Sequence, residues 1–205
     1  VVKFDSVRPS QETEGYAKVG YGSDNLWNVE GAVGGAISER WSARASMLYQ
    51  RRDDWVTNTG TGPNDGLEGY DESAARVQFL YEGDNFEALL GAHARRLNGT
   101  ARLFRANIIA PGSNDLVPGF DRDEVSTDGV NFSDLETWGG SARLTWDLGS
   151  LSLYSITGYE TAESLNRGDI DGGFGAAFLP PGASGPGFIP FASESADGLP
   201  DHRQI

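Results

Sequence analysis

The sequence predicts an all-β fold: an antiparallel up-and-down meander of about seven long strands, with short turns at one end and long loops at the other. Three observations predict it. Apolar and polar residues alternate over several segments, as expected for strands with one apolar face. Short and long connections also alternate along the chain. Finally, the charged residues of these segments keep to one face, and large aromatic residues lie near their ends.

Composition narrows the class of protein. The chain of 205 residues is long enough for one domain, or at most two. It contains no cysteine, which excludes a disulfide scaffold and a thiolate metal site. No run of about 18 apolar residues occurs, so a transmembrane helix is excluded, whereas a membrane-spanning strand needs an apolar residue only at alternate positions. A net charge of −14 argues against nucleic acid as a partner, because phosphate binding requires clustered Lys and Arg.

Seven segments have the alternation of a strand. In the second of them, Val29, Val33 and Ile37 occupy one face, and Asn28 and Glu30 occupy the other. The seventh is strand-like, although its two faces are not clearly separated. In chain order the segments are residues 14–21, 26–37, 41–50, 73–81, 86–95, 138–147 and 151–159.

The connections between these segments are unequal. Three are short turns, at residues 38–40, 82–85 and 148–150, and three are long, at residues 51–72, 98–134 and 160–202. The turn at 22–25 is the short exception among the long ones. Large loops at one end only are typical of outer-membrane barrels. Within the last long connection, residues 172–200 contain five prolines and no strand pattern, which predicts a poorly ordered loop.

Charged residues of the predicted strands lie on the polar face, and two loop segments, 115–134 and 160–201, carry −11 of the net charge of −14. An arginine near the midplane of the lipid face of a barrel costs roughly 2–4 kcal/mol, so a membrane-spanning sheet requires this segregation. We therefore expect the polar face to line the lumen of a barrel. The residues predicted to face the lumen are Lys18, Asn28, Glu30, Arg44, Arg76, Gln78, His93, Arg95 and Arg143.

Large aromatic residues occupy the ends of the strands, and the strand centres are mostly Val, Ala, Leu and Gly. Aromatic rings favour the membrane–water interface, whereas a soluble sandwich buries them at strand centres. The sequence thus predicts that the apolar face meets lipid, as part of an incomplete transmembrane β-barrel. The residues predicted to face lipid are Trp27, Val29, Val33, Ile37, Trp41, Ala43, Met47, Tyr49, Val77, Phe79, Tyr81, Phe86, Leu90, Trp138, Leu144 and Trp146.

Parts of the chain resemble the TonB-dependent outer-membrane receptors of Gram-negative bacteria. The likeness begins at "VVKFDSVRPSQETEGYAKVGYG", which resembles the exit from a plug domain and the start of the first barrel hairpin. It continues through the turn "EGAVGGAISERWSARAS" and the start of a long outer loop, "RRDDWVTN". Farther on, "LSLYSITGYE" resembles a later strand of the same barrels. The resemblance is most specific at residues 9–58.

The resemblance implies import across the bacterial outer membrane. Receptors of this family bind a scarce ligand, such as a siderophore–iron complex, cobalamin or a carbohydrate-type compound, at their outer loops. A plug fills the barrel, and a periplasmic TonB-type energy-coupling protein acts on a motif upstream of the plug. The implied partners are outer-membrane lipid, the plug domain and the remainder of the barrel, the TonB-type protein and the small-molecule ligand.

We expect the chain to be a fragment of such a receptor. A plugged transporter barrel has about 22 strands, and only seven are visible here. Residues 1–11 would be the plug-to-barrel connection, and residues 12–205 the N-terminal part of the barrel.

The sequence predicts no catalytic, cofactor or metal site, and therefore no enzyme. With no cysteine and only His93 and His202, no zinc-binding spacing exists, and we expect His93 to contact the plug. The segment "NRGDIDGG" at residues 166–173 lacks the third acidic ligand and the distant Glu of an EF-hand, so a solvated acidic loop is expected. Ser184 in "PGASGPG" lacks the pattern of a nucleophile elbow. The long loops show no aromatic cage or basic cluster.

Two alternatives make different structural predictions. A closed eight-stranded outer-membrane barrel, acting as an anchor or adhesin, requires a further strand and pairing between the first and last strands. A secreted soluble β-module that binds carbohydrate requires a second layer of protein over Val29, Val33, Val77, Leu90 and Leu144.

Overall fold

The computed structural model describes residues 6–100, 103–106, 108–173 and 194–204, and this part of the chain is all-β. It contains no helix that could cross a membrane. The strands are β1 (Glu14–Gly22), β2 (Leu26–Ser38), β3 (Trp41–Arg52), β4 (Val56–Asn58), β5 (Gly66–Leu67), β6 (Tyr70–Glu82), β7 (Phe86–Gly99), β8 (Glu124–Val125), β9 (Phe132–Asp147), β10 (Ser152–Asp169) and β11 (Glu194–Gln204).

Eight of these strands form one sheet in the order β1-β2-β3-β6-β7-β9-β10-β11, and every neighbouring pair is antiparallel. The predicted antiparallel meander is confirmed for the described residues. Short β4, β5 and β8 form a separate three-stranded sheet, so the order of the long strands follows the chain. The short turns after β2, β6 and β9 lie at one end of the sheet, which we call the turn end. The opposite end, with the long connections, is the loop end.

The loop end has one tight turn, between β1 and β2. Asp24 and Asn25 have φ values of 57° and 52°, and the Leu26 amide donates to the Ser23 carbonyl at 3.1 Å. Two successive residues with positive φ form a type I′ turn, which matches the twist of a hairpin and which Asp and Asn accept more readily than most residues.

Several strands extend farther toward the loop end than the periodicity predicts. β7 continues to Gly99, β9 begins at Phe132 instead of residue 138, and β10 continues to Asp169 instead of residue 159. Both faces of these extensions are mainly polar, so alternation gives no signal there. The backbone ladder continues nonetheless, accompanied by polar side-chain pairs such as Asn98 with Asp134.

The prediction that residues 172–200 contain no strand is wrong for the last part of that segment. Strand β11 begins at Glu194 and pairs with β10. The register shifts between Ala162 and Ser164, opposite a stretch that includes Pro200. Proline has no N–H to donate to a ladder, and a bulge accommodates this residue in the strand. The proline also hides the strand pattern in the sequence. Residues 174–193, which include Ser184, lie outside the described residues.

The eighth long strand changes the edges of the sheet. The edges are β1 and β11, whereas the seven strands predicted from the sequence would end at the first and the seventh. Within the described residues these two strands do not pair with each other, which is the pairing that the closed eight-stranded barrel requires.

A glycine in β9 makes room for a side-chain pair between the two strands beside it. His93 of β7 and Glu160 of β10 both lie opposite Gly139, and His93 Nε2 lies 3.0 Å from a carboxylate oxygen of Glu160. A Cβ atom at position 139 would overlap the Glu160 carboxylate and lie 2.6 Å from the carbonyl oxygen of Tyr159. Only glycine therefore fits between His93 and Glu160.

We predict that Gly139→Ala lowers the free energy of unfolding by about 1–3 kcal/mol, the usual effect of overpacking. The matched control is Gly158→Ala on the same face, where an added Cβ has its nearest neighbour at 3.9 Å. The control should be nearly neutral. Urea unfolding in detergent micelles, followed by tryptophan fluorescence, measures both variants, and equal effects would contradict the prediction.

Candidate functional site

The register of the large sheet defines two faces that continue across its strands. Directly paired residues share a face, so Val29 lies on the same side as Tyr49, and Ala43 on the same side as Phe79. All residues predicted to face lipid lie on one side, which we call the apolar face, with Ile37 at a bulge of β2. All residues predicted to face the lumen lie on the other, the polar face. The medium that each face meets stays a prediction.

Two rows of aromatic rings bound the apolar face. The turn-end row crosses four adjacent strands, with ring centroids 5.2, 6.1 and 5.8 Å apart in the order Trp41, Tyr81, Phe86 and Trp146. The loop-end row contains two pairs, 5.0 and 5.4 Å apart: Tyr21 with Trp27, and Trp138 with Tyr159. These separations are typical of interacting aromatic side chains.

The height of the band between the rows follows from strand geometry. Trp41 and Tyr49 are eight residues apart on β3, as are Trp138 and Trp146 on β9. At about 3.3 Å per residue, this separation is about 26 Å along the strand. A tilt of about 40° reduces it to roughly 20 Å, and the rings at both ends add to that, which approaches the roughly 25 Å apolar band of outer-membrane barrels.

No described segment covers the apolar face. Val33 and Met47 are 62% and 58% exposed, and Val77 and Leu90, in central strands, are 37% and 38% exposed. The second protein layer that the soluble β-module requires is thus absent from the described part of the chain. A large exposed apolar surface indicates contact with another medium or partner.

The same side of the sheet becomes charged beyond the loop-end aromatic row. Arg96, Glu136 and Glu163 are cross-strand neighbours, one row outward from Trp138. The interpretation that no strand arginine lies on the apolar side is therefore wrong for the longer strands, because Arg51 and Arg96 both lie there. Arg96 lies one row outward from Trp138, and Arg51 lies directly opposite Trp27, at the edge of the band.

Strand β10 departs from the separation of the faces. Its Tyr154 and Ile156 lie on the polar face and are 72% and 75% exposed, whereas Ser155 and Thr157 lie on the apolar face. The sequence already has poorly separated faces in this segment.

Cross-strand ion pairs order the polar face; two join adjacent strands, and Arg44–Glu14 joins β3 to β1 across Gly34 of β2. Their N–O distances are 2.6, 2.7 and 2.7 Å for Lys18–Glu30, Arg44–Glu14 and Arg95–Glu72. Exposed pairs contribute at most about 1 kcal/mol each, so their main effect is to orient the long side chains. His93, for which we expect a plug contact, has a partner within the sheet, Glu160.

The segment that precedes β1 crosses the polar face. Arg8 lies 2.6 Å from the Glu87 carboxylate, and the Ser6 hydroxyl accepts a hydrogen bond from Arg76. Pro9 is buried. This segment belongs to the predicted plug-to-barrel connection, of which residues 1–5 lie outside the described residues.

The connections at the loop end fold into a small body of their own, which we call the loop module. β4 pairs with β5 in antiparallel and with β8 in parallel orientation, although residues of β4 and β8 are far apart in sequence. Val56, Leu67 and Val125 form its buried core, against which Trp55 and Leu103 pack.

Asn58 of β4 links the turn between β4 and β5 to the segment that follows β8. Its side-chain amide donates to the carbonyls of Asn64 at 2.9 Å and Thr127 at 3.2 Å. Its side-chain oxygen accepts from the amides of Gly60 and Thr127, both at 2.9 Å. One side chain thus satisfies four backbone groups that no strand ladder reaches.

An aromatic and basic cluster, which the sequence interpretation missed, lies where the loop module meets strands β3 and β6. The guanidinium carbon of Arg52 lies 5.7 Å from the ring centre of Trp55 and 5.4 Å from that of Tyr70, and Arg122 lies 5.9 Å from Trp55. Arg105 donates to the Arg122 carbonyl at 2.9 Å. We call this group the Arg–Trp cluster.

Three donors of the Arg–Trp cluster have no acceptor in the part of the chain that the structure describes. The Nε groups of Arg52 and Arg105 and the indole N–H of Trp55 are buried without a hydrogen-bond partner. A buried unsatisfied donor costs about 1–3 kcal/mol. These N–H groups are therefore places where a water or ligand oxygen would be bound favourably.

Three carboxylates meet where β10 ends. Oxygens of Asp128, Asp169 and Asp171 lie within 4.8 Å of one another. Asp169 and Asp171 are only 4% and 1% exposed, so the expectation of a solvated acidic loop is wrong for these two residues. Asp169 accepts four backbone amides, from Asp171 and Gly172 at one oxygen and from Asp128 and Gly129 at the other. The Asp169 carboxylate therefore organises the backbone of the turn.

Glu194, beyond the loop-end aromatic row, joins β11 to the loop module. Its carboxylate accepts the Val130 amide at 3.0 Å and pairs with Arg167 at 2.7 Å. The Val130 amide, and then Arg167, hold the pKa of Glu194 below its ordinary value. The interactions of the ionised Glu194 carboxylate stabilise the fold above about pH 4.3, and this stabilisation is lost as the pH falls through the lowered pKa.

We predict that Asn58→Ala loosens the loop module and leaves the large sheet intact, because buried backbone groups lose their partners at about 1–3 kcal/mol. Hydrogen exchange measured by mass spectrometry should show roughly tenfold or more loss of protection at residues 59–64 and 125–131. The control is Asn114→Ala, at an exposed loop position. Unchanged protection in the Asn58 variant, or equal loss in β6 and β7, would contradict the prediction.

Neither a family model, nor a curated protein, nor a solved structure gives a significant match to this chain. The likeness to TonB-dependent receptors therefore stands on the sequence segments quoted above. Membership of a family and the function that it would carry are matters for a proposal.

Proposed function

We propose that this chain is part of the wall of an outer-membrane active-transport receptor, which binds a scarce small molecule and imports it with energy from a TonB-type protein. One observation carries the proposal. No described segment covers the apolar face, which lies between two aromatic rows and has charged residues only at its loop-end edge and beyond it. In water this exposed apolar surface would favour aggregation. In a bilayer the apolar residues would contact lipid tails, and the aromatic rings would lie at the membrane–water interface.

The loop module supports capture of a ligand at the loop end. It is folded, with its own core, and it contains part of the Arg–Trp cluster, whose three buried N–H groups have no acceptor among the described residues. Loops positioned by a rigid scaffold commonly carry binding function. The ligand classes that the resemblance implies are siderophore–iron complexes, cobalamin and carbohydrate-type compounds.

The edges of the sheet support an origin in a larger barrel. In lipid, the unpaired N–H and C=O groups of β1 and β11 have no water to bond, so a spanning sheet must close. The proposed partners are therefore the remainder of the barrel at these edges, the plug domain against the polar face and the surrounding outer-membrane lipid. The TonB-type protein would act through the plug.

Two other functions remain alternatives. A closed eight-stranded anchor or adhesin accounts for the aromatic rows and for the eight long strands, but not for edges that stay apart in the described residues. A soluble carbohydrate-binding module accounts for the exposed rings, but it leaves the uncovered valines, leucines and Met47 unexplained.

We predict that a spin-label scan along residues 26–49, in the parent barrel reconstituted in lipid, alternates with a period of two. Labels at Val29, Val33 and Met47 should be accessible to oxygen dissolved in the bilayer, because these side chains lie on the apolar face. Labels at Asn28 and Arg44 should be accessible to a water-soluble nickel reagent. Equal accessibility on both faces would reject the membrane proposal.

We also predict that Ala45→Arg destabilises the protein in lipid by roughly 2–4 kcal/mol, the effect of an arginine at the bilayer midplane. Ala45 is exposed and lies midway between the aromatic rows on β3. The same change at an exposed position of a soluble protein stays within about 0.5 kcal/mol.

The matched control for this charge is Ser46→Arg, on the polar face one residue away. It should cost less than about 1 kcal/mol, even with Arg76 directly opposite, because the charge remains hydrated. Urea unfolding of both variants in lipid vesicles measures the difference, and a neutral Ala45→Arg would favour the soluble module.

A further inference from the structure

The polar face contains a cavity of about 390 Å³ beside the N-terminal segment. Strands β6, β7 and β9 form its wall, and Ser6 and Arg8 border it from the segment that crosses the sheet. The residues that line it are mostly polar and basic, and no Asp or Glu is among them. They include Arg8, Arg76, Gln78, His93, Ser141 and Arg143.

Two of the basic groups at this cavity have carboxylate partners. Arg8 lies 2.6 Å from Glu87, and His93 Nε2 lies 3.0 Å from Glu160. These pairs satisfy the charge of Arg8 and fix the orientation of the His93 ring.

The other two basic groups have no carboxylate partner among the described residues. Arg76 donates to the Ser6 hydroxyl, which carries no charge, and Arg143 has no ion-pair partner among the described residues. Two uncompensated guanidinium groups at one cavity are unexpected in a chain with 30 acidic and 16 basic residues. A protein so rich in carboxylates could have neutralised them, as it does Arg44 and Arg95 on the same face.

We propose that this cavity binds a small molecule through an oxyanion, either a carboxylate or a phosphate group. Arg guanidinium groups match both anions with parallel N–H donors, and Arg76 and Arg143 supply them here. The volume is near the lower end for small-molecule sites, which suits a small solute and not an extended segment of protein. The site is distinct from the Arg–Trp cluster of the loop module, and it does not depend on what the apolar face contacts.

The experiment is a calorimetric titration of the full chain in detergent micelles, at constant ionic strength, with inorganic phosphate and, in a separate arm, with acetate. We expect saturable binding at one site in at least one arm, and the arm that saturates identifies the anion. Arg143→Gln and Arg76→Gln should each weaken that binding at least tenfold. The matched control is Arg95→Gln, on the same face but outside this cavity and paired with Glu72, and it should bind as the parent does.

Several results would overturn the proposal. The first is that neither phosphate nor acetate binds saturably. The second is that Arg95→Gln weakens binding as much as Arg143→Gln does. The third is that an acidic peptide binds in a way that depends on Arg143 while neither small anion binds. The last result would assign the cavity to an acidic protein segment instead. If a variant fails to fold, NMR of the Arg Nε–Hε groups in the unmodified chain provides the test instead. Phosphate or acetate should shift two of these resonances and leave that of Arg95 in place. A negative spin-label scan would reject the membrane proposal without affecting the anion titration, so the two proposals can be rejected independently.

Discussion

The register of one continuous antiparallel ladder is the constraint on which the rest of this structure depends. Eight strands pair over nine or more residues each, and a slip of one residue in any of them would move every side chain of that strand to the opposite face. Such a slip would put Arg76 or Arg143 among the valines and alanines of the apolar band. Because burial of an unpaired charge in an apolar medium is expensive, the hydrophobic pattern and the ladder stabilise the same register.

The sheet is unusual in having almost no packed core. In the described residues, the one cluster of fully buried apolar side chains, around Val56 and Leu67, belongs to the loop module. The large sheet instead combines backbone hydrogen bonds, cross-strand aromatic contacts on one face and ion pairs on the other. Hydrogen bonds and exposed ion pairs contribute only about 1 kcal/mol each, so in the proposed function the surrounding lipid would take the place of the missing core.

The two ends of the sheet differ for a physical reason. At the turn end, connections of a few residues leave no chain with which to build anything further. At the loop end, the longer connections have enough backbone to require internal partners, and Asn58 and Asp169 provide them by binding backbone amides. The result is an ordered loop module that brings Arg52, Trp55 and Arg105 together.

The sequence by itself determined the all-β class, the order of the strands and the face on which Val29, Arg44 or Trp138 lies, because side chains alternate along a strand with a fixed period of two. It did not reveal β11, since Pro200 interrupts the pattern, nor the outer halves of β9 and β10, where both faces are polar. Only the tertiary structure decided the loop module, the buried carboxylates of Asp169 and Asp171 and the cavity at Arg143. Each depends on partners that are distant in sequence, such as Asp128 and Gly129 for Asp169, and the pairing of strands across the sheet brings them into contact.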